Sequence, residues 1–83
     1  MLGDRITNSV EIHPSSVIGD DVIIEENVTI GPFCHIFGDV KIGKNTTIGS
    51  NTILEHNVHV GNNCVIGSSV VIKNSIIGDR VVI

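Results

Sequence analysis

Residues 40–54 read Val40-Lys41-Ile42-Gly43-Lys44-Asn45-Thr46-Thr47-Ile48-Gly49-Ser50-Asn51-Thr52-Ile53-Leu54, and an aliphatic residue returns at every sixth position. Traced outward, the series is unbroken: Ile6, Ile12, Ile18, Ile24, Ile30, Ile36, Ile42, Ile48, Leu54, Val60, Ile66 and Ile72. A helix of 3.6 residues per turn would smear such markers around its cylinder. Strand alternation has a period of two and needs no fixed marker every sixth residue. A strict short repeat over most of a chain signals a solenoid, and six is a β-helix period.

The rest of the hexad agrees. Two residues before each marker stand Val10, Ser16, Val22, Val28, Cys34, Val40, Thr46, Thr52, Val58, Cys64 and Val70, all small or β-branched and suited to a narrow interior. Gly follows the marker at 19, 31, 43, 49, 61 and 67. Asp21, Asn27, Asp39, Asn45, Asn51, Asn57 and Asn63 stand three after it, where a left-handed corner is expected. Apart from Asp4, no charged residue takes an inward position, so the interior is expected to be dry.

Eighty-three residues set the size of one small domain, 1–83, with an imperfect first coil at 1–9 and a register slip at 73–77. The net charge of −4 carries no footprint for nucleic acid or anionic lipid, and two Phe without Tyr or Trp offer no stacking platform for bases. No apolar run approaches a membrane span, and the N-terminus has no signal core, so a cytoplasmic product is expected. Cys34 and Cys64, both in inward slots 30 residues apart, read as buried small hydrophobes that do not stack on each other.

The run [Ile/Leu/Val]-Gly-x-x-x-x resembles the hexapeptide-repeat family over residues 10–83. The resemblance implies an all-β, single-stranded left-handed parallel β-helix, a triangular prism of 18-residue coils, about four and a half of them. The left hand comes from the resemblance alone, because sheet crossovers are ordinarily right-handed. Pro14 and Pro32, Glu26 and Lys44, and Glu55 and Lys73 are each 18 apart, which fits such a coil. Val71-Ile72-Lys73-Asn74-Ser75-Ile76-Ile77-Gly78-Asp79 is similar to a segment of the β-helical acetyltransferase domain of N-acetylglucosamine-1-phosphate uridylyltransferases. Ile30-Gly31-Pro32-Phe33-Cys34 is similar to early coils of UDP-N-acetylglucosamine acyltransferases.

The outward residues sort into three columns: Glu11, Thr29, Thr47, Val65; Arg5, Ile23, Lys41, His59; and Val17, His35, Ile53, Val71. The third is apolar and flanked by Phe33 and Phe37, where Asn and Gly are usual, and it reads as a subunit interface. Resemblance to the family implies a parallel homotrimer. Ile83 ends on an inward position without a polar cap, so the chain is expected either to be a piece of something longer or to contact other molecules at its ends.

The resemblance implies a histidine general base in a cleft between subunits, acting on a sugar or sugar nucleotide, with acetyl-CoA or another acyl thioester as co-substrate and no bound cofactor. His35, within the apolar column, is the first candidate and His59, beside Lys41, the second; His13 and His56 are corner residues. No residue reproduces the family's catalytic motif. The family's zinc-dependent carbonic anhydrase branch is a further alternative, but His56 and His59 should diverge, and no metal is expected. A non-catalytic trimerising scaffold is the remaining alternative.

Overall fold

A computed structural model describes residues 9–83 of the chain. Twelve strands of two or three residues alternate with tight corners, and every third strand pairs in parallel with the one a coil away. The first sheet stacks β1 (Glu11–Ile12), β4 (Thr29–Ile30), β7 (Thr47–Ile48) and β10 (Val65–Ile66). The second stacks β2 (Val17–Ile18), β5 (His35–Phe37), β8 (Ile53–Glu55) and β11 (Val71–Lys73). The third stacks β3 (Val22–Ile24), β6 (Val40–Ile42), β9 (Val58–Val60) and β12 (Ile76–Ile77). Three sheets from one winding chain make a parallel β-helix of about four coils, all-β among the described residues.

The markers fill its axis. Ile30 pairs with Ile48, and Ile24, Ile36, Ile42 and Leu54 are fully buried. Ile6, Asp4 and Arg5 lie outside the described residues. The expected pairs Lys44–Glu26 (3.4 Å) and Lys73–Glu55 (3.1 Å) are formed. Cys34 and Cys64 are both buried and unpaired, at the entries to different sheets.

The small inward residues do more than fit. Five glycine carbonyls, those of Gly31, Gly49, Gly61, Gly67 and Gly78, accept a hydrogen bond from an inward side chain 14 or 15 residues earlier. The Ser16 hydroxyl donates to Gly31 O (2.7 Å), the Cys34 thiol to Gly49 O (3.0 Å) and Thr52 to Gly67 O (2.8 Å). Thr46 and Cys64 do the same for Gly61 O and Gly78 O. An inward Ser, Thr or Cys therefore satisfies an otherwise orphaned buried acceptor. Asn27, Asp39, Asn45, Asn51, Asn57 and Asn63 hold φ between 57° and 62°, as expected. Asp21 does not: an Asp permits the left-handed turn without imposing it. Phe33 (φ 59°) and His56 (φ 62°) adopt it instead, a conformation bulky side chains rarely take.

At Gly49 the stacked corner leaves no room for a side chain. A Cβ on Gly49 would lie 2.7 Å from the carbonyl carbon of Gly67, one coil above. Gly49→Ala should therefore push two rungs apart, costing about 1–3 kcal/mol, and lower the melting temperature by several degrees in a calorimetric scan.

The slip at 73–77 is a one-residue deletion confined to a corner. Lys73 still pairs with Glu55, 18 residues earlier, but Ile76 pairs with His59 and Ile77 with Val60, 17 earlier. Asn74 (φ 49°) alone spans the turn that His56 and Asn57 make one rung below. Inward and outward residues keep their sides, and Val82 bridges Val65 in the shifted spacing.

Candidate functional site

The outward column of the third sheet reads Ile23, Lys41, His59 and Ile76 on successive rungs, fixed by the pairs Ile23–Lys41, Lys41–His59 and His59–Ile76. The corner leading into this sheet places Asp21 and Asp39 beside it on consecutive rungs, with the Val40 amide donating to Asp21 O (3.2 Å). Together Asp21, Ile23, Asp39, Val40, Lys41 and His59 line a concavity of about 200 Å³. Val40 sits on its floor, buried, and Ile23 gives it an apolar wall. Lys41 Nζ reaches the carboxylate of Glu25 at 3.8 Å. The arrangement brings an exposed histidine, a lysine and two aspartates around a mainly apolar surface depression. That set can hold a small polar molecule and exchange a proton with it.

The second sheet carries the other candidates. Val17, His35, Ile53 and Val71 form one continuous column, and Val17 (56 % exposed) and Val71 (58 %) are open to solvent. Phe33, 62 % exposed, lies against His13 with ring centroids 6.5 Å apart. Phe37 meets His56 edge to face at 6.0 Å. His13 Nδ1 accepts from the Ser15 amide (3.2 Å) and lies 2.7 Å from its hydroxyl, which ties this histidine into its own corner.

His35 and His59 thus stand on different sheets, and one chain does not bring them together. His59 lines the concavity; His13, His35 and His56 do not. The contact of His59 with Lys41 follows the spacing of 18, whereas the part played by Asp21 and Asp39 was hidden by their reading as corner residues. The signal was present, since they too are 18 apart, in step with Lys41 and His59. Among the described residues no three His, Cys, Asp or Glu side chains are grouped to hold a metal ion, and no helix is long and apolar enough to cross a membrane.

Residues 5–38 and 39–74 match the family described as "Bacterial transferase hexapeptide (six repeats)", and the chain belongs to that family. Its β-helix has the left-handed form of the acetyltransferase domains it resembles. One is the acetyltransferase domain of PglB from Neisseria gonorrhoeae FA1090, at 20% identity and a TM-score of 0.52, covering 81% of this chain and 47% of that one. The same domain in complex with acetyl coenzyme A aligns at 17% identity and a TM-score of 0.51, covering 88% and 53%. Serine acetyltransferase isoform 3 from Entamoeba histolytica, in complex with cysteine, aligns at 22% identity over 90% of this chain and 34% of that one, with a TM-score of 0.41. No curated protein matches by sequence. The chain spans about half the length of the PglB domain structures.

Proposed function

We propose that the chain is the β-helical part of a cytoplasmic acyltransferase that moves an acyl group from a coenzyme A thioester to a small hydroxyl- or amine-bearing acceptor, a sugar or sugar nucleotide among them. The observation that carries this reading is the place of His59 in the concavity beside Lys41, Asp21 and Asp39, on a chain of the hexapeptide transferase family. His59 takes the proton from the acceptor's hydroxyl or amine as that atom attacks the thioester carbonyl. A C–O or C–N bond forms, the C–S bond breaks, and the leaving thiolate takes up a proton as free coenzyme A. The acetyl coenzyme A held by the PglB domain supports the choice of donor. The test is acetyl transfer from acetyl-CoA to a panel of amino sugars, read as thiol release. Activity in the chain that vanishes with His59 removed supports the reading; no release with any acceptor overturns it for this chain.

His35 has a different part in this reading. It stands between Val17 and Ile53 in the exposed apolar column, which with Phe33, Phe37 and Val71 forms the contact face of a homotrimer. Ile53→Lys puts a charge at the centre of that face, on a side chain that takes no part in the core. The expected result is a trimer in wild type by light scattering and a folded monomer in the variant, since a desolvated unpaired charge costs several kcal/mol at an interface. A monomeric wild type overturns the face assignment. The same column favours a second reading, a trimerising scaffold without catalysis, which the transfer assay separates from the first.

A further inference from the structure

We propose that Ser15 is a nucleophile, activated by His13, which takes the acyl group of an activated ester or thioester whose apolar part packs on Phe33. The site lies at the corner between the first and second sheets and stands apart from His59 on the third. This corner departs from its own repeat at three places. His13 stands where Gly31, Gly49 and Gly67 follow their markers on the rungs above. Phe33 stands where Asn51 and Ser69 turn, and it takes their left-handed angle (φ 59°) with a bulky ring. Ser15, at the same place one rung below, does not take that angle. Strained backbone and broken local rules gather where a site has its own demands.

The hydrogen bonds give these departures a chemistry. On the two rungs above, the amide of the turning residue donates to a backbone carbonyl one coil earlier, Asn51 to Pro32 O (3.0 Å) and Ser69 to Ser50 O (2.8 Å). The Phe33 amide donates instead to Ser15 Oγ (3.0 Å). Ser15 Oγ lies 2.7 Å from His13 Nδ1, and the Ser15 amide donates to the same nitrogen (3.2 Å). An amide only donates, so Nδ1 carries the lone pair and the hydroxyl hydrogen points to it. A nucleophile is thus in contact with its base, and the Phe33 amide steadies the charge that gathers on Oγ as its proton leaves. The second lone pair of Oγ is left for attack. His13 and Phe33 are exposed and Ser15 is half-buried, so a substrate reaches all three. Phe33 lies in the corner before β5 and borders the face assigned to the trimer.

In the reaction Ser15 Oγ attacks the acyl carbon while His13 Nδ1 takes the hydroxyl proton. A C–O bond to Ser15 forms, the bond to the leaving oxygen or sulfur breaks, and the leaving group takes the proton from the imidazolium. Water, giving its proton to His13, then attacks the acyl-serine; the carboxylic acid departs and the Ser15 hydroxyl regains its proton.

The experiment treats the chain, as wild type and as the Ile53→Lys variant that opens the face bordering Phe33, with p-nitrophenyl acetate. Nitrophenolate release gives the rate, and peptide mass spectrometry gives the position of the acetyl group. Expected in at least one of the two proteins is acetylation of Ser15 ahead of every lysine. In that background His13→Gln should lower the rate by about a hundredfold or more, as loss of a general base does. Ser15→Cys, which keeps a nucleophile in place, should take the acetyl group as a thioester. Phe33→Asn, a residue suited to the left-handed angle, should raise KM severalfold with kcat little changed. Ser15 acetylated no faster than the lysines in both proteins, or an unchanged rate in His13→Gln, overturns the proposal and leaves Ser15 as a cap of its own corner.

Discussion

Ile42→Asp should leave the chain unfolded. Ile42 is fully buried between Ile24 below and Val60 above, within a core cluster made almost wholly of aliphatic side chains. A carboxylate there finds no donor and no counter-ion, at a cost of several kcal/mol whether it stays ionised or takes up a proton. A small domain has only ~5–15 kcal/mol of total stability, so one such change removes most of it. Far-ultraviolet circular dichroism should show the strand signal lost at room temperature. Thr47→Asp, at an outward position on the neighbouring sheet, should retain it. If Ile42→Asp keeps a wild-type spectrum and melting temperature, the stacking of markers along the axis is wrong.

His59→Gln should lower acetyl transfer by about 10²- to 10⁴-fold, the usual range for loss of a general base, while acetyl-CoA binding measured by calorimetry stays near its wild-type strength. The residue is exposed and makes no side-chain hydrogen bond among the described residues, so the fold does not depend on it. His35→Gln is the informative partner. If His35 is an interface residue, its variant changes the oligomer and reduces activity only as far as assembly fails. If instead His35→Gln abolishes transfer in an intact trimer and His59→Gln does not, the two histidines exchange roles and the site moves to the second sheet.

The coil was legible in the sequence because its period is enforced by contacts between identical positions. Ile30 above Ile12 and below Ile48 needs an aliphatic side chain each time, so the marker recurs without exception. The three outward columns follow from the same spacing, and the structure reproduces them residue by residue where they are described. The corners were less legible, because their backbone angles are imposed by the rungs above and below as well as by the residue. Phe33 and His56 accept left-handed angles their side chains disfavour, and Asp21 forgoes one it tolerates. The same gap hid part of the site. Lys41 beside His59 is a strand contact and could be counted out, but how far the carboxylates of Asp21 and Asp39 lean over that sheet depends on the corner.

Asn74, one residue doing the turn of two, has a consequence for how such chains tolerate insertions and losses. In an ordinary sheet, removing a residue inside a strand inverts every side chain that follows. Here the missing residue comes out of a bend, and Ile77 lands on Val60 with its face unchanged. Length variation gathers at the vertices of the triangle, where it reshapes what the surface can grasp while the column within continues undisturbed.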